Sequence, residues 1–281
     1  MSAVQLVRGI WDTAVTLFLF TKSDFKTIVF PCVLMAAASA PIRTPSHFLH
    51  SFFWVWLHLL MFDVSNQTIN PKEDQLNKKD RPLPAKRITL QNALILRWAL
   101  VPICWLLSIL YSGQVLYASV GICILTVLHN ELRASRHWVG KNSLASIITT
   151  VFDAGAILVI SDDRHNMGGA AELALVCSVG ILTSTIYAQD FKDVEGDASV
   201  GRKTVPILYP KLAAPVLAMT LIGWSAFLIN LWQVGTVTAA VFGSTALLTA
   251  FCFLYSSSIV GYQRSYLIYN VSRYISVRFL H

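Results

Sequence analysis

The amino-acid sequence predicts an all-helical integral membrane protein, in which a single domain, residues 1–281, forms a bundle of eight to nine transmembrane helices. Of the 281 residues, 55% are hydrophobic and only 13% are charged, and the mean hydropathy of +0.58 is well above that of a soluble domain. The apolar residues also form runs of about 20 residues, the length that a helix needs to cross a hydrocarbon core of roughly 30 Å.

Eight apolar runs predict the membrane spans. They cover residues 27–42, 47–69, 91–111, 114–132, 143–161, 171–189, 212–231 and 236–257. The apolar stretch within 4–20 is too short to cross, so we expect a helix at the membrane interface there. No small-residue cleavage site follows it, so we expect no cleaved signal peptide. The aromatic tail at 262–281 carries three arginines and predicts either a short ninth span or a second interfacial helix.

Basic residues collect on one face of the predicted bundle. With eight alternating spans, seventeen of the 22 lysines and arginines fall in or beside the loops of one face, whereas only Arg43 and Arg164 fall on the other. Such an excess marks the cytoplasmic face. The net charge of +7 therefore describes a one-sided basic surface and does not indicate a nucleic-acid partner. The two long loops, 66–89 and 187–211, lie on the same face and mark it as the working surface.

Three carboxylates follow the sixth predicted span. Asp190, Asp193 and Asp197 are spaced at i, i+3 and i+7, so a helix continuing from that span would place them on one face. Unpaired carboxylates this close repel one another, and a hard divalent cation such as Mg²⁺, which often completes its shell with substrate phosphates, would stabilise them. The alternative interpretation is a solvated acidic helix end balanced by Lys192 and Lys203.

The end of the second predicted span repeats this pattern. Asn66, Asn70 and Asp74 are spaced at i, i+4 and i+8, and Asp63 lies one turn earlier. Both polar helix ends lie on the same face and precede basic residues, which predicts a pocket for a metal-bridged polyanion, most economically a diphosphate. Hydrogen bonding between helices is the alternative role for Asn66 and Asn70.

Several segments resemble the UbiA superfamily of intramembrane prenyltransferases. Residues 78–89, KKDRPLPAKRIT, resemble the segment after the first acidic motif of that family, and residues 190–206, DFKDVEGDASVGRKTVP, closely resemble its second acidic motif. Residues 128–146, LHNELRASRHWVGKNSLAS, are more loosely similar to its basic segment. The ends of the chain, LFLFTKSDFKT at 17–27 and RSYLIYN at 264–270, are similar to the fungal terpene cyclases of the superfamily.

The resemblance implies a bundle of about nine helices around a central cavity, whose cytoplasmic mouth holds Mg²⁺ against the diphosphate of an isoprenyl substrate. The positions that match the metal-binding motifs are Asn66, Asn70, Asp74, Asp190, Asp193 and Asp197, with Arg81 beyond the first motif.

The first motif departs from the family pattern, which is usually richer in aspartate. Two of its three matching positions are amides here, which removes negative charge and weakens one predicted metal site. Pro71 also disfavours a helical conformation at Asn70, so we expect Asp74 to reach the metal from a loop. Asp63 and Glu73 are the alternatives to Asp74 as a ligand.

The implied chemistry begins with the loss of diphosphate, so basic side chains must take up its developing charge. The candidates are Arg81, Lys203, Lys192, Arg202, Arg133, Lys22 and Lys141. The allylic carbocation left behind needs aromatic faces, and we expect Tyr187, one turn before Asp190, and then Phe62 to provide them. Trp54, Phe152 and Tyr117 are weaker candidates, because most aromatic residues of a bundle only pack or anchor it.

One carboxylate lies near the middle of a predicted span. Asp153 falls within 143–161, where a carboxylate is costly and usually faces a cavity or a partner. A role as final proton acceptor or cation stabiliser is one interpretation, and a buried hydrogen bond to another helix is the other. His58 and Glu131 are similar but less informative.

Two enzymatic functions fit these features. In the first, favoured by the amide-substituted motif and the chain ends, the cation derived from an isoprenyl diphosphate, most simply farnesyl diphosphate, cyclises to a terpene. In the second, the prenyl group passes to an aromatic or quinone-precursor acceptor. A transporter or scaffold would explain the spans but not the two acidic motifs. The expected partners are the substrate and the lipid bilayer, of the endoplasmic reticulum in a eukaryotic cell, and nothing in the sequence indicates an obligate protein partner.

Overall fold

The predicted all-helical bundle is confirmed by the computed structural model, which describes residues 2–40, 44–69, 71, 74, 78–199 and 201–277. Within these ranges the helices are α1 Ala3–Thr21, α2 Phe30–Ser39, α3 Pro45–Ile69, α4 Leu90–Ile109, α5 Gly113–Thr126, α6 Trp138–Ile160, α7 Gly169–Thr185, α8 Val194–Ser199, α9 Val205–Leu208, α10 Ala213–Leu231, α11 Thr236–Tyr255 and α12 Ile259–Val277.

The long helices close into a ring. From α2 to α7 each helix contacts the next one along the chain, α7 contacts α10, and α10, α11 and α12 follow in the same way. Helix α12 then contacts α2 and completes the ring, while α6 touches α2 and α3 as well as its sequence neighbours. The tail therefore belongs to the bundle, because its helix packs against two others.

Seven helices among the described residues are long and apolar enough to cross a membrane. They are Pro45–Ile69, Leu90–Ile109, Gly113–Glu131, Trp138–Ile160, Gly169–Ser199, Ala213–Leu231 and Thr236–Tyr255. The predicted span 27–42 corresponds to the apolar helix Phe25–Ser39, which is shorter than the seven helices above and opens with a π-helical turn at Phe25–Val29; residues 41 and 42 lie outside the described residues. The predicted interfacial segment is the helix α1, whose exposed face carries Trp11 at 67% exposure.

The C-terminal end of α1 is tied to the helix that carries the first polar motif. Phe20 is fully buried, and its carbonyl oxygen accepts a hydrogen bond of 2.9 Å from Nε2 of Gln67 on α3. Trp56 of α3 donates from Nε1 to Oγ1 of Thr21 at 3.2 Å. The first half of α1 is exposed to the surroundings, whereas its last turn packs against α3 beside the motif.

The centre of the bundle is held by a polar cluster around a buried tryptophan. Nε1 of Trp54 donates to Oγ of Ser108 at 2.9 Å, which joins α3 to α4. The His58 ring stacks on Trp54 with a centroid separation of 4.0 Å, and its Nδ1 lies 2.8 Å from the Trp54 carbonyl. Because a carbonyl can only accept, Nδ1 carries the proton and Nε2 accepts from the Ser119 hydroxyl at 2.6 Å. These contacts make His58 and Trp54 structural residues of the bundle.

The approach of α6 to α3 depends on a glycine. A Cβ atom added to Gly155 would lie 2.6 Å from Cζ3 of Trp54, closer than side chains pack. Since Trp54 is fully buried and its ring nitrogen is hydrogen-bonded, the indole cannot turn aside.

We therefore expect Gly155→Ala to destabilise the bundle by about 1–3 kcal/mol, the usual cost of overpacking a core. The matched control is Gly223→Ala in α10, where an added Cβ meets no atom within 4 Å and helix propensity favours alanine. Thermal unfolding of both variants in detergent tests this expectation, and equal midpoints for Gly155→Ala and the wild type would contradict it.

Candidate active site

The helix that carries the second acidic motif changes its winding before the motif begins. The α-helical winding of α7 ends at Thr185, residues Ile186–Asp193 form a 3₁₀-helix, and α8 follows at Val194–Ser199. The helix expected to continue from the sixth span therefore does continue through all three carboxylates, but with 3₁₀ rather than α winding over Ile186–Asp193. With three residues per turn, the 3₁₀-helix stacks residues i and i+3 directly above one another, which aligns Asp190 with Asp193.

A lysine from another helix lies between two of these carboxylates. Nζ of Lys141, in the first turn of α6, is 2.7 Å from Oδ1 of Asp190 and 3.4 Å from Oδ2 of Asp197. Asp190 is fully buried and Asp197 is 3% exposed. Arg202 completes the arrangement, with Nη1 3.0 Å from Oδ1 of Asp197. Burial of several charges at this depth is tolerated because opposite charges are in contact.

The backbone brings α6 into register with the motif. Trp138 N donates to the carbonyl oxygen of Lys203 at 3.1 Å, so the start of α6 is fastened to the segment that follows α8. His137 caps α6 by accepting a hydrogen bond of 3.3 Å from Val139 N. Lys141 lies one turn further along, which places its amine beside Asp190.

The third carboxylate of the motif is more accessible. The side chain of Asp193 is 41% exposed and pairs with Nζ of Lys192 at 2.6 Å. The same amine lies 5.5 Å from the centre of the Tyr266 ring on α12, within the range of a cation–π contact. Lys192 therefore lies beside Asp193 at the open side of the site.

The first motif begins where α3 ends. Helix α3 spans Pro45–Ile69, and Asn66 in its last turn is partly buried. Pro71 and Asp74 are also helical, so the expectation that Asp74 lies in a loop is wrong. Arg81 binds Asp74 through Nη1, which is 2.8 Å from Oδ1 and 2.9 Å from Oδ2. Burial lowers the pKa of Arg81, but the Asp74 carboxylate outweighs it and leaves that pKa raised. The predicted ligand Asn70 and the alternative Glu73 lie outside the described residues.

The two motifs lie at the same end of the bundle, because the first follows the end of α3 and the second follows the end of α7. Burial and then the positive charge of Arg81 lower the pKa of Lys78, which follows the first motif, while the negative charge of Asp193 in the second motif acts in the opposite direction.

The remaining basic candidates lie further from the carboxylates. Lys22 is exposed and pairs with Asp80 at 3.4 Å. Arg133 is exposed, with a left-handed backbone at φ 55° where the chain leaves α5. The side chain of Lys203 is exposed, and its contact with α6 is made by its backbone. Lys141, which the sequence could not rank above the others, is the basic residue in contact with two motif carboxylates.

The aromatic candidates differ in their surroundings. Tyr187 is 5% exposed, and its hydroxyl donates a hydrogen bond of 3.1 Å to the Ala213 carbonyl. The centre of its ring lies 6.2 Å from the centre of the Phe191 ring. Phe62 is partly buried, 5.6 Å from the His129 ring.

The three weaker aromatic candidates do not reach the site mouth. Trp54 and Phe152 belong to the buried core, and Trp54 is fully engaged there. Tyr117 is 74% exposed in the second turn of α5, at the opposite end of the bundle from the motifs.

Asp153 lies deep inside the bundle. Its side chain is 1% exposed on α6, and its Oδ2 accepts a hydrogen bond of 3.1 Å from the Ser178 hydroxyl on α7. This contact agrees with the interpretation as an interhelical hydrogen bond, but a carboxylate at this depth also retains its capacity to accept a proton.

A second buried ion pair supports the site, and sequence reasoning missed it. Helix α5 continues as a π-helical turn, Val127–Glu131, and Glu131 accepts hydrogen bonds from Nε and Nη2 of Arg97 at 3.1 and 2.9 Å. Ser65, beside Asn66, donates to Glu131 at 3.0 Å and accepts from Asn130 at 2.9 Å. The sequence did contain a signal for this ion pair: Arg97 falls within a predicted span, where a charged side chain must find a partner.

The oxygen atoms at the mouth suit a hard divalent cation. Among the described residues no three His, Cys, Asp or Glu side chains form a ready metal cluster, because lysine and arginine groups occupy the spaces between the carboxylates. Oδ2 of Asp190 is nevertheless buried without a hydrogen-bond partner. A buried carboxylate oxygen without a partner is costly, and a cation would satisfy it.

An all-helical bundle in which seven helices of the described residues are long and apolar enough to cross a membrane defines the class of the chain as a multi-pass integral membrane protein. The family model described as "UbiA prenyltransferase family" matches residues 28–271, so the chain belongs to this family.

Named relatives and a solved structure are similar to the chain. The fumagillin beta-trans-bergamotene synthase of Aspergillus fumigatus is 32% identical over 83% of this chain and 80% of its own length. The diterpene cyclase eriG of Hericium erinaceus is 28% identical over 79% of this chain and 74% of its own. The structure of a UbiA homolog from Archaeoglobus fulgidus bound to GPP and Mg²⁺ superposes with a TM-score of 0.68 at 12% identity, and covers 94% of this chain and 99% of that one.

We expect Lys141→Met to lower thermal stability, because it leaves Asp190 buried without its ionic partner, a loss of about 3–5 kcal/mol for such pairs. Added Mg²⁺ should then raise the unfolding midpoint of this variant more than that of the wild type, since it replaces the missing positive charge. Lys211→Met, at an exposed lysine before α10, is the control. Identical metal-free midpoints for all three proteins would show that the ion pair contributes nothing.

Proposed function

We propose that this protein is a Mg²⁺-dependent terpene cyclase, which ionises an isoprenyl diphosphate within the bundle and cyclises the resulting cation. The observation that carries the proposal is the buried group of Asp190, Asp197 and Lys141, which lies at the same end of the bundle as the first motif. Two relatives named as a fumagillin beta-trans-bergamotene synthase and a diterpene cyclase support cyclisation, and a structural neighbour bound to GPP and Mg²⁺ supports the substrate class. Farnesyl diphosphate is the substrate that we propose.

The diphosphate would be held at the mouth by both motifs. Carboxylate and amide oxygens of Asn66, Asn70, Asp74, Asp190, Asp193 and Asp197 would hold Mg²⁺. When bound, Mg²⁺ stabilises the negative charge on the departing diphosphate. Arg81, Lys192 and Arg202, which already lie against motif carboxylates, would donate to the phosphate oxygens. Lys22, Arg133 and Lys203 are more exposed and would extend this basic surface outward.

Catalysis then consists of three events. The C1–O bond breaks heterolytically, the electron pair leaves with the diphosphate, and an allylic carbocation remains in the bundle. The Tyr187 and Phe62 rings would stabilise that cation through their faces, each by about 0.5–2 kcal/mol. A double bond of the same chain attacks the cation and closes the ring, and loss of one proton yields a neutral hydrocarbon. Asp153, buried on α6, would accept that proton.

The alternative function is transfer of the prenyl group to an aromatic or quinone-precursor acceptor, as the family's own name suggests. The two functions share the ionisation step and differ in what attacks the cation. Both place the mouth on the basic face of the membrane, which we propose to be cytoplasmic.

We expect purified protein in detergent, given Mg²⁺ and farnesyl diphosphate but no acceptor, to release a hydrocarbon that gas chromatography detects. Asp190→Asn should reduce turnover by about 100-fold, equivalent to roughly 2.7 kcal/mol of transition-state stabilisation, because it removes a charge from the metal-binding motif. Asp12→Asn, at an exposed residue of α1, should leave turnover unchanged. A mixture that stays inert until a phenolic acceptor is added would instead identify a transferase.

We expect Asp153→Asn to alter the product mixture more than the rate of diphosphate release. The amide retains the hydrogen bond from Ser178 by its oxygen but cannot accept the final proton, so water-quenched alcohols or different alkene isomers should accumulate. Ser178→Ala is the control for loss of the hydrogen bond alone. An unchanged product mixture from Asp153→Asn would assign the residue to interhelical bonding.

A further inference from the structure

We propose that Asp63, which belongs to neither motif, is a cation ligand that restores the negative charge missing from the amide-substituted first motif. This inference rests on the proposed function, since it concerns the divalent cation at the same mouth. The ligand set that we infer is the Asp63 carboxylate, the Asn66 amide oxygen and Asp74.

Asp63 lies in the right place on α3. It precedes Asn66 by three residues, so the two side chains share one face of the helix. Its charged neighbours are the carboxylates of Asp24 and Asp74 and the cations of Lys78 and Arg81. The side chain therefore lies near the segment that follows α3, which carries the rest of the first motif.

The carboxylate of Asp63 is buried without a partner. The residue is 2% exposed, and its Oδ2 has no hydrogen-bond partner among the described residues. Other polar side chains of the same helical turns find partners elsewhere: Ser65 bonds Glu131, and Nε2 of Gln67 bonds the Phe20 carbonyl. Oε1 of Gln67 is also buried without a partner, but Gln67 is anchored through its Nε2, whereas Asp63 makes no side-chain hydrogen bond among the described residues.

Nearby cations do not satisfy this carboxylate. No lysine or arginine nitrogen among the described residues lies within 4 Å of it, and Arg81 is already engaged by both oxygens of Asp74. An ionised carboxylate buried in a membrane bundle costs several kcal/mol, and this cost is removed either by protonation or by a compensating positive charge. In the second motif, lysine and arginine side chains neutralise the charge of the carboxylates. At Asp63 a bound metal cation would have to supply this positive charge.

The chemistry of the site favours Mg²⁺ or Mn²⁺. Both ions prefer oxygen ligands in an octahedral arrangement and are bound by one or two carboxylates with the rest of the shell from water or phosphate. With Asn66 and Asn70 both neutral, Asp74 alone would contribute charge from the motif. Asp63 would bring the first site to two carboxylates, the number commonly found at such sites.

The test measures Mn²⁺ binding to the full-length protein in detergent, without substrate. Binding is detected as a decrease of the free Mn²⁺ signal in electron paramagnetic resonance. We expect Asp63→Asn to lower the Mn²⁺ affinity of the first motif at least tenfold, or to lower the number of Mn²⁺ ions bound per protein molecule. Asp80→Asn, which removes an equal charge from a 71% exposed side chain on the same face, should bind as the wild type does. Unchanged binding by Asp63→Asn would overturn the proposal, and would indicate that Asp63 is buried in its protonated form.

A gain of charge provides the converse measurement. Asn66→Asp should tighten Mn²⁺ binding, and in the Asp63→Asn background it should restore part of the lost affinity; no effect in either background would contradict the proposed ligand set. Monodisperse elution of each variant confirms that it is folded. Mn²⁺ binding requires no turnover, so it reports on Asp63 even if the hydrocarbon assay fails. If the wild type is active and Asp63→Asn binds Mn²⁺ normally, the inference about Asp63 is rejected while the proposed function stands.

Discussion

The site depends on one physical constraint: carboxylates buried at the end of membrane helices must be neutralised locally. Water cannot screen Asp190 and Asp197 at their depth, so the amine of Lys141 and the guanidinium of Arg202 lie directly against them. This requirement explains why the start of α6 is fastened to the segment after α8 by the backbone bond from Trp138. The ion pair, the helix start and the second motif form one unit.

The same constraint acts differently on the first motif. Its two amides carry no charge, and the remaining carboxylate of Asp74 is neutralised by Arg81, whose Nη1 contacts both carboxylate oxygens. A buried pair between Arg97 and Glu131, joined by Ser65, holds the end of α3 against α4 and the π-helical end of α5. The first motif is thus supported by the Arg97–Glu131 pair and the second by the Lys141–Asp190 pair. Both pairs lie at the same end of the ring.

The sequence predicted the bundle well and the details of the site less well. Hydropathy and loop charge depend on the bilayer, so they predicted most of the spans without knowledge of packing. The segment predicted at 27–42 is helical at Phe25–Ser39, but apolar composition does not show that Phe25–Val29 winds as a π-helix. The spacing of Asp190, Asp193 and Asp197 suggested an α-helix, but 3₁₀ winding from Ile186 was not visible in it. The choice of Lys141 among many basic residues required its distance to Asp190, which only tertiary structure provides.

The pairing of acidic and basic groups at the mouth has a consequence for binding. Lys141, Lys192 and Arg202 neutralise the second motif when no ligand is bound, and each is a donor that a phosphate oxygen also accepts. An anion that arrives with its own divalent cations can therefore exchange partners with the site: the cations take the carboxylates, and the freed amine and guanidinium groups take the anion. Net charge is conserved in this exchange, so no group is left buried and unpaired. A free anion without cations would have to compete with Asp190 and Asp197 for the same donors, so the proposed site favours an anion that arrives with divalent cations over a free anion.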